Sequence, residues 1–127
     1  MSCRLMFLGT TLCALVTVLP VRALAEEKVN ITGKYTVEGT NPEGGTYEGS
    51  AEITKKGDTY EVAWVIAGNE EYRGVGILQG NTLSVAYANN AVSGVVVYRI
   101  EKGPKLVGEW AILGGNGKIQ KETLTPK

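Results

Sequence analysis

The segment GDTYEVAW, residues 57–64, recurs as GNTLSVAY, residues 80–87. In each copy a Gly-Asp or Gly-Asn pair precedes an alternation of apolar and polar residues, which is typical of a strand that leaves a two-residue hairpin turn. A weaker third copy runs from Tyr98 through Gly103 to Trp110. The chain therefore repeats a β-hairpin of about 25 residues, and such repetition indicates one hairpin reused around a sheet.

The same alternation extends outward from the repeat in both directions. Loops rich in glycine, asparagine, aspartate and proline separate the alternating segments, and loops this short force neighbouring strands to pair. The predicted strands are residues 31–39, 46–54, 59–67, 71–79, 82–88, 93–101, 105–113 and 118–125.

Eight short-looped strands predict an all-β fold, an eight-stranded antiparallel up-and-down barrel, because closure removes the free edges of an open sheet. A two-sheet sandwich built from the same strands is the alternative. One parity of each strand is apolar and should line the interior. These inward positions include Tyr60, Val62, Trp64, Ile66, Leu83, Val85, Tyr87, Val96, Tyr98, Ile100, Leu106, Trp110 and Ile112.

The N-terminal 25 residues have the pattern of a secretory signal peptide. One early positive charge precedes an apolar run, and Ala23-Leu24-Ala25 supplies small residues at a cleavage site. Pro20 and Arg22 interrupt the run, which disfavours a membrane anchor. We therefore predict an exported protein, periplasmic or extracellular, with a signal peptide at 1–25 and a single barrel domain at 26–127.

Charge and cysteine content exclude several classes of function for residues 26–127. These 102 residues carry 11 lysines and arginines against 13 acidic residues, with no basic patch, so we expect no nucleic-acid partner. Both cysteines, Cys3 and Cys13, precede residue 26, so we expect no disulfide in the domain. We expect no membrane span after signal cleavage.

Catalytic and metal-binding candidates are few because the chain has no histidine and one aspartate, Asp58. Histidine-based triads and metal sites are therefore impossible, and we predict no enzyme activity, no cofactor and no metal. An enzymatic alternative would rest on Glu122, brought near Tyr35 by barrel closure, with Arg99 or Glu109 opposite. The residue types favour surface exposure for Glu122 and Glu109, because ionised carboxylates are rarely buried without a partner. The alternative for Glu122 is an inward position in which a hydrogen bond to a tyrosine hydroxyl makes it a structural tie.

The aromatic side chains are the main candidates for binding. No phenylalanine follows residue 25, so every aromatic ring of the domain carries a polar atom, which suits a barrel mouth or a recognition surface. Ordinary core and rim packing is the alternative. The candidate ligand-binding residues are Tyr35, Tyr47, Trp64, Tyr72, Tyr87, Tyr98, Trp110 and Glu122.

The spacing of glycine, tyrosine and tryptophan along residues 33–124 resembles a family of small exported bacterial proteins of uncharacterised function, some of them labelled fibronectin-binding. The segment ITGKY, residues 31–35, is more loosely similar to the first strand of avidin and the calycin barrels, with Tyr35 where those families place tryptophan. The second resemblance implies a calycin-like barrel.

These observations favour an exported, non-enzymatic binding module that takes a small apolar or aromatic ligand in the barrel mouth. The alternative is an adhesion or envelope-interaction protein whose exposed tyrosines, among them Tyr47 and Tyr72, and strand edges contact an envelope or matrix protein. Eight-stranded barrels have room for one small ligand or for side chains alone. The interior volume therefore decides between the ligand-binding function and the adhesion function.

Overall fold

The computed structural model describes residues 9, 13–18 and 29–127, and in this part of the chain it is a closed, all-antiparallel barrel without helices. Each strand pairs with its neighbours in sequence, and β1 pairs with β8 to close the sheet. The predicted barrel is thus confirmed over the sandwich. The strands are β1 Gly33–Thr40, β2 Thr46–Lys56, β3 Thr59–Ile66, β4 Glu70–Gln79, β5 Thr82–Ala88, β6 Ser93–Glu101, β7 Lys105–Ile112 and β8 Gln120–Pro126.

The predicted signal peptide, residues 1–25, lies outside the described residues except for residues 9 and 13–18. Within the described ranges, no helix is long and apolar enough to cross a membrane.

The repeated Gly-Asp and Gly-Asn pairs form two-residue turns as predicted. Gly57 joins β2 to β3 with a φ of 58°, and Gly80 joins β4 to β5 with a φ of 61°. Glycine adopts such a positive φ without steric cost, which favours it at the first position of these hairpin turns. The repeated segments 57–64 and 80–87 therefore begin with the same hairpin turn.

The two ends of the barrel differ in how they are closed. At one end, which we call the closed end, Ile31 is fully buried and the Tyr35 hydroxyl donates a 2.6 Å hydrogen bond to its carbonyl oxygen. Ile53, Leu83 and Leu106 fill the interior nearby and are 0–1% exposed. The closed end is thus a packed core with the chain before β1 folded into it.

The opposite end, which we call the mouth, is bordered by the loops at 41–45, 67–69, 89–92 and 113–119. Here aromatic rings lie among the inward-facing side chains, and several of the rings are only partly buried: Tyr47, Tyr72, Tyr87 and Trp110. Rings held around an opening pack less completely than aliphatic chains in a core. The mouth therefore positions the candidate site.

Candidate functional site

A cavity of about 140 Å³ opens at the mouth of the barrel, and we call it the mouth pocket. Its walls come from seven strands and two loops, so the pocket exists only when the barrel is closed. The lining residues are Asn41, Tyr47, Trp64, Ile66, Glu70, Tyr72, Tyr87, Val92, Val96, Trp110, Ile112 and Glu122.

The structure brings six of the eight candidate binding residues together in this pocket. They are Tyr47, Trp64, Tyr72, Tyr87, Trp110 and Glu122. Tyr35 belongs to the closed end, and Tyr98 is fully buried below the pocket, where its hydroxyl bonds to Glu122. Neither of these two tyrosines lines the cavity, because strand parity predicts which side chains point inward but not the depth at which each one lies.

The five aromatic rings of the pocket form two edge-to-face groups. Tyr47 packs against Trp110 with ring centroids 6.2 Å apart, and Tyr87 packs against both Trp64 and Tyr72 at 6.0 Å. Edge-to-face geometry is the preferred arrangement of such rings and adds stability beyond area burial. The aromatic wall is therefore ordered by contacts among its own rings.

Glu122 is buried at the base of the pocket, with 7% of its surface exposed. The favoured expectation of an exposed strand residue is therefore wrong, and the alternative of an inward carboxylate bonded to tyrosine is confirmed. The hydroxyl of Tyr47 donates to Oε1 at 2.9 Å, and the hydroxyl of Tyr98 donates to Oε2. These two hydrogen bonds offset part of the cost of burying the carboxylate. Glu109, by contrast, is exposed as expected.

Cross-strand register explains how two tyrosines on distant strands reach one carboxylate. Glu122 pairs with Gly39 on one side and Gly108 on the other, and these glycines pair in turn with Tyr47 and Tyr98. A Cβ atom on Gly108 would lie 2.5 Å from Cδ1 of Tyr98, so the ring occupies the space that a larger residue would fill. The cross-strand row Tyr47-Gly39-Glu122-Gly108-Tyr98 therefore positions the carboxylate.

Burial raises the pKa of Glu122 above the usual glutamate value, and the hydrogen bonds from Tyr98 and Tyr47 only partly oppose that rise. Burial also raises the pKa of Tyr98 and of Tyr47, and the Glu122 charge raises both further. Burial raises the pKa of Tyr87 to about 12, with smaller contributions from Tyr72 and Glu122. These tyrosines therefore stay protonated and remain donors over the physiological range.

Two further donors, the indole N–H groups of Trp64 and Trp110, are buried in the wall of the pocket. The indole Nε1 atoms of Trp64 and Trp110 are buried and make no hydrogen bond to any group that the structure describes. The indole N–H of Trp64 nevertheless lies close enough to Glu122 to lower the pKa of that carboxyl, and the indole N–H of Trp110 lowers the pKa of Tyr47 in the same way. The pocket combines an apolar aromatic wall with a few polar atoms, as small-molecule sites do.

The arrangement considered for an enzyme is not formed. Glu122 contacts Tyr47 and Tyr98 instead of Tyr35, which hydrogen-bonds at the closed end. Arg99 points outward and pairs with Glu101 at 2.8 Å on the surface. Among the described residues, no group of three or more acidic or cysteine side chains is placed to hold a metal ion.

Sequence reasoning missed part of the lining. Glu70 is exposed but lies at the pocket rim, where its Oε2 accepts a 2.9 Å hydrogen bond from the hydroxyl of Tyr72. Asn41 and Val92 come from loops, whose approach to the mouth no periodicity reveals. Glu122 was detectable, because it shares the inward parity of Leu124 two positions later.

No protein-family model matches the chain, and no curated protein matches it either. Several solved structures resemble it in fold. A redesigned β-barrel is 15% identical with a TM-score of 0.63, the alignment covering 76% of this chain and 90% of that one. The REP1-NXSQ fatty acid transporter is 11% identical with a TM-score of 0.51, covering 76% and 95%. Lipid binding protein 8 of Caenorhabditis elegans, in its apo form, is 13% identical with a TM-score of 0.51, covering 79% and 99%. At these identities the likeness establishes the barrel fold alone.

Proposed function

We propose that the protein is a non-enzymatic binding module that takes a small apolar or aromatic ligand in the mouth pocket. The observation that carries this proposal is the ring of five aromatic side chains around a cavity that has a buried carboxylate, Glu122, at its base. Two barrels of similar fold are a fatty acid transporter and a lipid binding protein, which is compatible with a ligand inside the barrel. The absence of histidine from the sequence supports binding rather than catalysis.

The size of the pocket limits the ligand. Drug-sized sites have volumes of roughly 300–1,000 Å³, and the mouth pocket has about 140 Å³. The closed end is filled by Tyr35, Leu83, Leu106 and other buried side chains, so a long chain has no room to extend inward. The pocket therefore suits a small molecule, or one end of a larger molecule that projects from the mouth.

The two tryptophans provide a direct test. The chain contains only Trp64 and Trp110, and both line the pocket, so the two indole N–H signals in a proton–nitrogen NMR spectrum report occupancy. Titration with phenol, benzyl alcohol and cyclohexanol should shift both signals together and to saturation with at least one probe. The amide signals of Ile31 and Tyr35 at the closed end should not move.

A pair of neighbouring substitutions distinguishes pocket binding from surface binding. Ile112 faces the pocket, whereas Leu113 is 80% exposed. Ile112→Trp should fill the pocket and abolish the titration, and Leu113→Trp should leave it intact. Equal binding by the two variants, or no shift with any of the three probes, would remove the proposal.

We propose further that the module acts after export, on the basis of the sequence pattern of residues 1–25. Expression of the full chain in a secreting bacterial host, followed by N-terminal sequencing of the exported product, should give Glu26 as the first residue. A product that retains residue 1 and stays in the cytoplasm would contradict this part of the proposal.

Interaction with another protein is a second candidate, and one observation favours it. Four outward-facing residues of β4 and β6, Val75, Ile77, Val95 and Val97, are 46–58% exposed and form an apolar area on the barrel wall. The tyrosines expected to form an adhesive surface face the mouth pocket instead, and β1–β8 pairing leaves no free edge in the described barrel. Replacing Val75 and Val95 with lysine should abolish retention of an envelope or matrix protein in a pull-down, whereas Tyr72→Phe should not.

A further inference from the structure

The charged residues that line the mouth pocket are all acidic. Two carboxylates line it, Glu122 at the base and Glu70 at the rim, and no lysine or arginine of the described chain does. The ion pair found among the described residues, between Arg99 and Glu101, lies on the outer surface. A positive charge inside the pocket would therefore have to come from a bound molecule.

Glu122 makes this imbalance significant because it is buried. Its two oxygens each accept one tyrosine hydrogen bond, but no cationic side chain is among the groups that act on its pKa. Buried charges in proteins are normally paired with an opposite charge, and an unpaired one is costly. A cation placed in the pocket would supply the missing partner.

The aromatic wall is suited to the same charge. Tyrosine and tryptophan rings attract cations through the negative potential of their faces, and cages of such rings are the usual sites for quaternary ammonium groups. The mouth pocket has five of these rings, held in edge-to-face contact around Tyr87 and Trp110. A carboxylate ligand such as a fatty acid would instead place its charge beside Glu122 and Glu70.

We propose that the mouth pocket binds a small organic ammonium ion, with its charged nitrogen enclosed by the aromatic rings and facing Glu122. This inference rests on the proposed binding function and specifies the class of ligand. A trimethylammonium group suits a cavity of about 140 Å³.

Three probes of nearly the same shape test the charge. Choline carries a trimethylammonium group, 3,3-dimethylbutan-1-ol replaces its nitrogen with carbon, and 3,3-dimethylbutanoate carries a negative charge. In titrations followed by the indole signals, choline should bind about tenfold or more tighter than the alcohol, and the carboxylate should bind more weakly than both. If the alcohol or the carboxylate binds as tightly as choline, the ammonium proposal fails while the binding function stands. If choline gives no shift, the ammonium proposal fails. The titrations with phenol, benzyl alcohol and cyclohexanol then decide separately whether the pocket binds small molecules.

A charge-removing variant locates the effect. Glu122→Gln keeps the size of the side chain, and it should reduce choline affinity about tenfold or more without changing affinity for the alcohol. Glu109→Gln, on the outer face of β7, should change neither affinity. Equal losses for choline and the alcohol in Glu122→Gln would mean that the pocket had changed shape, and would contradict a role for the charge.

The pH dependence provides a second measurement that uses the unaltered protein. Choline keeps its charge at every pH, so any loss of its affinity on acidification reports protonation of the protein. The groups facing Glu122 are Tyr47, Tyr98 and Tyr87, which stay neutral in the acidic range, and Glu70 lies across the pocket. Choline affinity should fall as Glu122 takes up a proton, in the wild type and in Glu70→Gln alike. A flat profile in the wild type would overturn the proposal.

Discussion

The hydroxyl of Tyr47 donates a 2.9 Å hydrogen bond to Oε1 of Glu122, which lies 75 positions later in the chain. The contact spans β2 and β8 across β1, so it requires the sheet to be closed. It connects the closed sheet with the mouth pocket, because the carboxylate that joins β2 to β8 also forms the base of the pocket.

The hydrogen bond from Tyr98 to Glu122 should contribute measurably to stability. Tyr98→Phe leaves a buried carboxylate oxygen without its donor, which should reduce the free energy of unfolding by about 1–3 kcal/mol. Tyr60→Phe is the matched control, because Tyr60 is also an inward tyrosine but makes no side-chain hydrogen bond in the structure; it should change stability by about 0.5 kcal/mol or less. Urea unfolding measures both variants, and equal losses would show that the bond to Glu122 contributes nothing.

Gly108 should be intolerant of any side chain. A methyl group there would press on the ring of Tyr98 and push its hydroxyl away from Glu122, so Gly108→Ala should cost about 1–3 kcal/mol. At Gly76, also inward-facing, the nearest atom to an added Cβ is the flexible end of Leu83 at 3.0 Å, so Gly76→Ala should cost about 1 kcal/mol or less. Thermal unfolding measures both variants. If Gly76→Ala were the more destabilising of the two, Gly108 would not be needed to make room for the ring of Tyr98.

The stability contributed by Glu122 should depend on pH with a defined sign. Because burial raises its pKa in the folded protein, the folded state holds the proton more tightly than the unfolded chain does. The contribution is therefore fully present below the ordinary glutamate pKa and is lost as the pH rises through the raised value. Glu122→Gln cannot titrate, so the stability of the wild type minus that of the variant should decrease between pH 4 and pH 8.

Urea unfolding of the two proteins at matched pH values measures this difference, since other groups titrate equally in both. Glu109→Gln is the control, because it removes the same charge from the exposed face of β7. A wild-type advantage over Glu122→Gln that grows with pH would contradict the prediction. It would mean that the tyrosine hydrogen bonds hold the pKa of Glu122 below its ordinary value.

The strands and turns were predictable because their signals are local. Alternation along TYEVAWVI and the glycine of each two-residue turn act within a few residues, and β3, β5 and β6 match their predicted ranges to within one residue. β1 and β8 each begin two residues later than predicted. The first of these differences has a specific cause, since Ile31 turns into the closed end instead of continuing the sheet.

The site was only partly predictable because it depends on register across the closed barrel. Residue type was enough to identify the aromatic rings. The burial of Glu122 depends on its two hydrogen-bond donors, Tyr47 and Tyr98, which the register places two strands away on either side. The role of Gly39 and Gly108 is equally non-local, because each makes room for a ring on the neighbouring strand. Depth along the barrel separates Tyr98 from the pocket, and alternation carries no information about depth.

The most direct measurement is the set of nuclear Overhauser contacts between the N-methyl protons of bound choline and the protein. Contacts to the ring protons of Trp64, Tyr87 and Trp110 are predicted, since these rings surround the mouth pocket beside Glu122. Contacts to the outward-facing methyl groups of Val75 and Val95 instead, or no contacts at concentrations that saturate any observed binding, would contradict a ligand site for organic ammonium ions inside the barrel mouth.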